Sequence, residues 1–312
     1  MSALLLGSLV ANLVMYVQYQ SYFAGSQGPE ERFHSGDRSS ADKLAILRVT
    51  GTIMPPFTRR VLREIEQVRN DAQIKGVLLV VNSPGGFVTD SHQIYHRLKE
   101  LSANKPVYVS MGSMAASGGY YVAMGAGDQA RIFAEPTTWT GSIGVIIPHY
   151  EVAELGEKLG IRAAPLKTGE LKDALSPFRS LTEREKAVWE DIMNQSFETF
   201  LEVIDVNRAD LDRDEVRALA TGQIYTARDA KENGLIDEIG FEEDALAALK
   251  QRTGLTRARV VTFEHPSSLL DTLLGSVRAA EPSSQWEALA EASVPRAMYL
   301  CGWGALLPVR NE

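Results

Sequence analysis

The sequence predicts an α/β protein built around a parallel β-sheet. Short apolar runs at 44–51, 76–81 and 106–111 alternate with amphipathic stretches of helical periodicity at 57–70 and 88–102. Alternation of this kind is typical of βαβ units, and continuously apolar strands are typical of a sheet covered on both faces. We therefore expect a buried parallel sheet with helices packed against its two faces.

The second half of the chain continues the pattern with shorter elements. A short helix is expected to begin at Ser117, and a long amphipathic helix is expected over 182–208. Two short helices around a glycine turn, a final apolar segment and one more helix follow. Apolar runs are found at 131–134 and 142–147. The two short helices are expected within 212–240, and the last helix, which ends at a glycine, is expected over 242–254.

The composition is that of an ordinary globular protein with an acidic surface. The chain has 312 residues, of which 45% are hydrophobic and 23% charged, and its net charge is −8. No cluster of Lys and Arg is available to follow a phosphate backbone, so a nucleic-acid partner is not expected. The single cysteine, Cys301, excludes an intramolecular disulfide and a cysteine-based structural zinc site.

An uncharged apolar segment opens the chain. Residues 2–23 carry no charged side chain and end in the aromatic residues Tyr22 and Phe23. About 20 apolar residues suffice to span a bilayer, so we expect a transmembrane anchor over 1–24. The alternatives are a cleaved signal sequence and a buried helix of a soluble protein. Basic residues follow the segment and none precedes it, which taken alone would favour a cytoplasmic body.

Three further regions follow the anchor. Residues 25–43 are polar and contain Gly and Ser, which is typical of a linker. The globular domain is expected over 44–254, where the alternation of apolar runs and helices is found. Residues 255–312 are expected to form a C-terminal extension with apolar islands at 269–277 and 298–309.

Two glycine-rich turns stand at the ends of predicted parallel strands, where open α/β sheets bind their ligands. The first, NSPGGFVTD, contains Gly85 and Gly86, and the second, SMAASGGYY, contains Ser117 and Gly118. Glycines at a strand–helix junction leave backbone N–H groups free to bind an oxyanion. A serine at the start of a helix lies in the positive end of the helix dipole, which suits a nucleophile as well as it suits an ordinary N-cap.

A serine nucleophile needs a base to take its proton. Of the five histidines, His149 follows an apolar run and stays a candidate on spacing alone. The other candidate is Lys172, which precedes an Asp-Ala-Leu-Ser-Pro turn; a lysine kept neutral by its surroundings can act as a base, although most lysines lie on the surface. The chemistry of the residues alone does not decide between His149 and Lys172 as the base.

Five motifs in this order resemble the signal peptide peptidase SppA family over nearly all of 44–250. They are NSPGG at 82–86, SMAASGGYY at 113–121, TGSIGV at 140–145, KTGELKDALSP at 167–177 and GQIYTARDAKENGLIDEIG at 222–240. The resemblance implies a ClpP/crotonase-like spiral fold and a serine peptidase with a Ser-Lys dyad. Its nucleophile would be Ser117 and its general base Lys172.

The resemblance also implies supporting roles for four residues. Backbone N–H groups of Gly86, Gly118 and Gly85 would form the oxyanion hole, and the Ser142 hydroxyl would hydrogen-bond the lysine amine. Each motif occurs once, as in the short members of the family. No metal or organic cofactor is implied.

The family resemblance further implies partners and a location. The expected substrates are hydrophobic peptides such as signal peptide remnants. The expected assembly is a ring-shaped homo-oligomer whose sites are shared between neighbouring subunits. The expected location is the cell membrane, with a single N-terminal span and an extracytoplasmic catalytic domain.

Three rival functions belong to other classes. A ClpP-like Ser-His-Asp peptidase would require a histidine about where Ser142 stands. A crotonase-type acyl-CoA enzyme would use paired backbone amides to stabilise an enolate, which leaves the serine and lysine motifs unexplained. A membrane scaffold on an inactive peptidase fold would not require Ser117 and Lys172.

Overall fold

A nine-stranded sheet organises the protein, whose computed structural model describes residues 28–264 and 297–301. The strand order is β1-β10-β2-β3-β5-β6-β9, with β7 pairing with β5 and β8, while β4 and β11 form a separate two-stranded sheet. The strands are β1 Glu30–Gly36, β2 Lys43–Thr50, β3 Ile74–Ser83, β4 Gly85–Phe87, β5 Val107–Ala116, β6 Ile132–Ala134, β7 Trp139–Gly141, β8 Ile224–Thr226, β9 Glu238–Ile239, β10 Arg259–Glu264 and β11 Met298–Leu300.

Helices cover the sheet and extend beyond it. They are α1 Phe57–Asn70, α2 Val88–Ser102, α3 Gly118–Ala123, α4 Ala153–Lys158, α5 Glu183–Asn207, α6 Arg213–Leu219, α7 Ala227–Glu232 and α8 Glu242–Arg252, with 3₁₀ turns at Met124–Ala126 and Glu170–Asp173. The α/β class expected from the sequence is confirmed, as are the strands near 44, 76 and 106 and the helices at 57–70 and 88–102.

The three central strands are buried on both faces, which explains their continuous apolar sequence. Strands β2, β3 and β5 are parallel, and their register aligns Leu47 with Leu79 and Leu79 with Val109. On one face α1 and α2 contribute buried residues of the main core, such as Ile65 and Ile94. On the other face α8 contributes Ala245 and Leu249 to a second core that includes Leu44, Ile46, Leu78 and Tyr108.

Two strands lie in segments that the sequence assigned to a linker and to an extension. Strand β1 falls within 25–43, and β10 follows residue 254 and joins the sheet parallel to β2. Strand β1 is an outer strand whose residues are exposed apart from half-buried Glu31 and Ser35, so it lacks the continuous apolar run of a central strand. Buried Lys43 bonds Glu31 at 2.6 Å and Asp71 at 3.0 Å, which ties β1 to the sheet.

The predicted anchor over 1–24 lies outside the described residues. Within 28–264 and 297–301, none of the helices combines the length and the apolar character that a bilayer crossing requires.

Two later segments differ in their agreement with the sequence pattern. The long helix expected over 182–208 is confirmed as α5, whose N-terminus is closed by a capping box between Thr182 and Glu185. The apolar run at 142–147 forms no regular strand, and only Ile146 makes a bridge, to Met298. Its partner is in the C-terminal extension, which no local pattern could have indicated.

Candidate active site

Ser117 lies at the turn between the end of β5 and the start of α3. Its φ is 55° and its ψ −116°, and its side chain is only 1% exposed. The Ser117 N–H donates to the Gly141 carbonyl at 2.7 Å, and the Ser117 carbonyl accepts from the Tyr121 N–H at 2.9 Å. A non-glycine residue with positive φ is strained, and such strain is concentrated at functional sites. The turn therefore holds the serine in one fixed position.

The glycine turn after β3 lies against this serine turn. Gly85 has a φ of 99°, and a Cβ built on Gly118 would lie 3.0 Å from the Gly85 Cα. The Ile53 N–H donates to the Gly85 carbonyl at 2.8 Å, and the Phe87 N–H donates to the Ile53 carbonyl at 2.9 Å. Because neighbouring peptide groups of a strand point in opposite directions, the N–H and C=O of Gly86 face away from Ile53. The structure thus brings Gly85, Gly118 and Ser117 together.

Replacement of Gly86 by alanine is expected to destabilise this turn strongly. A Cβ at Gly86 would meet the Ile53 carbonyl oxygen at 2.0 Å, so the backbone would have to move. Such overpacking typically costs about 1–3 kcal/mol, and here it would also displace the candidate oxyanion donor. Thermal unfolding of the purified chain measures the effect, with Gly28→Ala as control because its Cβ would meet only a Gln67 side-chain atom at 4.0 Å. Equal unfolding temperatures for the two variants would contradict the expected crowding.

Ser142 stands beside Ser117 at the end of the neighbouring strand. Strand β7 is parallel to β5, with Gly141 opposite Ala116, so the next residue of each strand is the serine. Ser142 is buried, has a φ of 49°, and donates its N–H to the Gln223 carbonyl at 2.7 Å. The position where a ClpP-like triad would need histidine is therefore adjacent to the nucleophile candidate and holds a serine.

Lys172 lies in the exposed 3₁₀ turn Glu170–Asp173. Within the described parts of the chain, the Lys172 amine makes no hydrogen bond to Ser117 or Ser142. The Lys172 N–H donates to the Gly169 carbonyl at 3.1 Å, which shapes the turn but leaves the amine toward solvent.

An ion cluster fixes the segment that carries Lys172. Arg179 bonds Asp173 at 2.7 Å and both carboxylate oxygens of Glu185 at the start of α5, while Lys167 bonds Asp173 at 2.6 Å. The Arg179 hydrogen bonds hold the pKa of Asp173 well below its usual range and lower that of Glu185 to about 2. Because both folded-state values are depressed, the cluster contributes stability above a pH of about 4 and loses it as the pH falls towards about 2.

Loss of Arg179 is expected to lower activity without unfolding the domain. Arg179→Ala frees Asp173 from Glu185, so the Lys172 turn is no longer held against α5. A misplaced catalytic group can lower the rate by roughly ten- to a hundredfold. The measurement is kcat/KM, together with the unfolding temperature. Arg97→Ala, which removes a surface pair with Glu100, is the matched control; a parallel loss in the control would count against a specific role of Arg179.

The surroundings of two histidines bear on the choice of base. The ring of His92 bonds the Tyr121 hydroxyl at 2.7 Å, and partial burial lowers its pKa. His149 has a buried Nε2 without a hydrogen-bond partner in the part of the chain that the structure describes. Within that part no histidine hydrogen-bonds Ser117, and His265 lies outside it.

Sequence reasoning missed one component of the site, the short strand β11. It pairs antiparallel with β4, placing Tyr299 opposite Gly86 and Leu300 opposite Gly85. The Tyr299 carbonyl oxygen would lie 1.9 Å from a Cβ on Gly85 and 3.0 Å from one on Gly118. Residues of the C-terminal extension therefore lie directly on the glycine turns. The only signal in the sequence was an apolar island far from the motifs.

Comparison with known families agrees with this geometry. The profile of Peptidase family S49 matches residues 99–256, which contain Ser117, Ser142 and Lys172, and the Clp protease profile matches residues 34–140. The two matches together span residues 34–256, which include strands β2 to β9 and the two glycine turns.

Individual relatives extend the match over most of the chain. A protein of Enterococcus faecium that carries the name signal peptide peptidase SppA is 36% identical over 79% of this chain and 74% of its own length. Serine protease SPPA of the Arabidopsis thaliana chloroplast is 31% identical over 75% of this chain and 35% of its own length. Protease 4 of Haemophilus influenzae is 32% identical over 78% of this chain and 42% of its own length. With a serine held at a strained strand–helix turn beside two glycine turns, these matches show that the chain is a serine peptidase and belongs to Peptidase family S49.

Proposed function

We propose that the chain is a membrane-anchored endopeptidase that cleaves hydrophobic peptides, such as signal peptide remnants, with Ser117 as nucleophile and Lys172 as general base. The observation that carries the proposal is the position of Ser117, buried at a strained turn with Gly118, Gly85 and Gly86 around it. The substrate class follows the name of the Enterococcus relative, and the anchor is the apolar segment 1–24.

The proposed reaction is acyl transfer to serine followed by hydrolysis. The neutral Lys172 amine takes the Ser117 proton while the serine oxygen bonds the peptide carbonyl carbon. The N–H groups of Gly86 and Gly118, with Gly85 supporting the turn, hold the oxygen that becomes negative; one such donor is typically worth ~2.7–4 kcal/mol. The lysine then gives its proton to the leaving amine as the peptide bond breaks. Water, deprotonated by the same lysine, cleaves the acyl-enzyme to a carboxylic acid and restores Ser117.

The Ser142 hydroxyl would orient the lysine amine in this scheme. It is buried next to Ser117, so an amine that reaches the nucleophile would also be within reach of Ser142. Loss of a neighbouring hydroxyl leaves the base present but less well aligned, which makes Ser142 a positioning residue.

Lys172 is proposed to act on the Ser117 of a neighbouring copy in a ring-shaped homo-oligomer. The Lys172 turn is exposed, and its surroundings expose large apolar side chains that a monomer would leave in water. These side chains are Leu155, Leu159, Ile161, Leu166 and Phe178. Several large exposed apolar side chains within one short stretch of the chain support a protein–protein contact in this region. A second copy covering it would bring the lysine-bearing turn to the neighbouring site.

The first experiment is cleavage of an internally quenched apolar peptide by the full chain in detergent. Turnover with peptide fragments separated at one bond supports the proposal, and its loss in the Ser117 and Lys172 variants assigns the chemistry. An oligomeric wild-type protein that leaves a panel of apolar peptides intact would contradict it.

The orientation of the proposed anchor has its own measurement. A cysteine-reactive, membrane-impermeant reagent applied to intact cells should label Cys301 if the catalytic domain is extracytoplasmic, as we propose. Labelling only after the cells are lysed would contradict that orientation.

A further inference from the structure

A buried serine that has no part in the proposed reaction lies against the turn that carries the nucleophile. Ser91 is the fourth residue of α2 and is fully buried. A Cβ built on Gly118 would lie 2.6 Å from the Ser91 Oγ and 3.0 Å from the Gly85 Cα. The Ser91 hydroxyl therefore lies against the Cα of Gly118, on the side where the Gly85 turn also meets it.

The Ser91 hydroxyl has no hydrogen-bond partner in the described parts of the chain. A serine within a helix can bond the carbonyl four residues back, here that of Phe87, and Ser91 does not make this bond. A buried hydroxyl without a partner destabilises a fold, and an alanine would fill nearly the same space without that cost. The hydroxyl is thus free to donate to an acceptor that arrives with a ligand.

The acceptor that the proposed reaction creates beside Gly118 is an oxyanion. The Gly118 N–H is one of its proposed donors, so the negative oxygen would lie next to the residue that Ser91 touches. An oxyanion has three lone pairs and can accept a third hydrogen bond. Effective donors are directed at the place that the oxygen takes in the transition state. A buried hydroxyl that is not engaged elsewhere can donate there without breaking another bond.

We propose that Ser91 is a further catalytic residue of the peptidase, whose hydroxyl donates to the oxyanion beside the N–H groups of Gly86 and Gly118. The inference rests on the proposed function, because the oxyanion forms when Ser117 attacks a peptide carbonyl. As the bond from Ser117 to the carbonyl carbon forms, the π electrons of the carbonyl move to its oxygen. The Ser91 hydroxyl keeps its proton and shares it with that oxygen until the leaving amine departs and the carbonyl is restored.

A donor that acts on the oxyanion changes kcat and leaves substrate binding almost unchanged. Ser91→Ala should therefore lower kcat by about a hundredfold, which is the lower end of what loss of one oxyanion donor costs. Its KM should change by less than about twofold. Both constants are measured with the full chain in detergent on the quenched apolar peptide.

The stability of the same variant separates this role from a structural one. Ser91→Ala removes a hydroxyl without a described partner and keeps the Cβ, so the unfolding temperature should equal that of wild type or exceed it. Thr58 of α1 supplies the matched control, because its hydroxyl is also buried and without a partner among the described residues. Thr58→Val should likewise not lower the unfolding temperature, and it should keep kcat within a factor of about two.

A peptide aldehyde of apolar sequence tests the oxyanion without turnover. Ser117 adds to the aldehyde carbon, its proton passes to the base, and the former carbonyl oxygen becomes the negative oxygen of a hemiacetal. The corresponding peptide alcohol cannot undergo this addition and reports binding of the ground state. Calorimetric titration of the full chain should show aldehyde binding weakened about tenfold or more in Ser91→Ala, with alcohol binding unchanged.

The possible failures are distinguishable. If Ser91→Ala keeps the wild-type kcat and aldehyde affinity while wild type cleaves in a Ser117-dependent manner, the inference is wrong and the proposed function stands. A rise in KM at constant kcat, or an equal loss of kcat in Thr58→Val, would also contradict a donor to the oxyanion. If wild type neither cleaves the peptide nor binds the aldehyde more tightly than the alcohol, the proposed function fails and the inference fails with it.

Discussion

Replacement of Ser117 by alanine is expected to abolish peptide hydrolysis, with kcat lowered by at least about four orders of magnitude. In the proposed reaction the Ser117 hydroxyl forms the acyl bond. Alanine fits the buried turn, because it removes one oxygen and keeps the Cβ, so the fold should survive. The measurement is kcat on a quenched apolar peptide under conditions where the wild type turns over.

A nearby serine supplies the matched control for this variant. Ser113 lies on the same strand, is exposed, and donates its hydroxyl to Asn82 at 2.8 Å. Ser113→Ala should keep activity within a factor of a few, since it removes only a surface hydrogen bond. Activity retained in Ser117→Ala would overturn the assignment of the nucleophile, and equal losses in both variants would point to damage of the strand end.

Replacement of Lys172 by alanine is expected to reduce kcat by a similar factor, because in the proposed reaction Lys172 takes the Ser117 proton and no described side chain hydrogen-bonds the Ser117 hydroxyl in its place. Lys172→Arg should be equally inactive, since a guanidinium keeps its proton at any pH the protein tolerates. Kinetics on the same quenched peptide measure both variants. Lys158→Ala removes another exposed lysine from the same region of the chain and is the control.

If His149 were the general base, the Lys172→Ala variant would keep its activity. His149 has a buried ring nitrogen without a partner among the described residues, so it is available for hydrogen bonding if the site rearranges. Activity that survives in Lys172→Ala but is lost in His149→Ala would replace the proposed dyad by a histidine-based mechanism.

The central sheet and its helices could be predicted because their sequence is dictated locally. The central parts of strands β2, β3 and β5 are buried on both faces and are therefore mostly apolar, while α1 and α2 bury one side and show the helical period. The glycine turns could be predicted from the sequence for a related reason. Gly85 has a positive φ and Gly86 has no room for a Cβ, so only glycine satisfies both positions.

The parts that sequence reasoning missed depend on distant partners. Strand β1 owes its place to pairing with β10, more than 200 positions along the chain, and its exposed side carries polar residues that resemble a linker. Strand β11 has three residues and lies between β4 and Ile146, so neither periodicity nor length could reveal it. The positions of the outer strands and of β11 therefore required the structure.

The proposed general base, Lys172, could be predicted only in part. The motif around Lys172 indicated a catalytic lysine through family resemblance. The turn that carries it is exposed, so the local sequence does not show which group the amine contacts. The proposal that the lysine acts on a neighbouring copy rests on exposed apolar side chains near it in the sequence, such as Leu166 and Phe178.

The most direct test of a peptidase site shared between copies is complementation between two inactive variants. Ser117→Ala and Lys172→Ala chains are co-expressed, purified as mixed oligomers and assayed on the quenched peptide, with each variant alone as reference. If Ser117 of one copy works with Lys172 of the next, random assembly of equal amounts leaves about a quarter of the sites intact, and activity should return to about that fraction of wild type. Mixed oligomers as inactive as either variant alone would contradict a site shared between subunits.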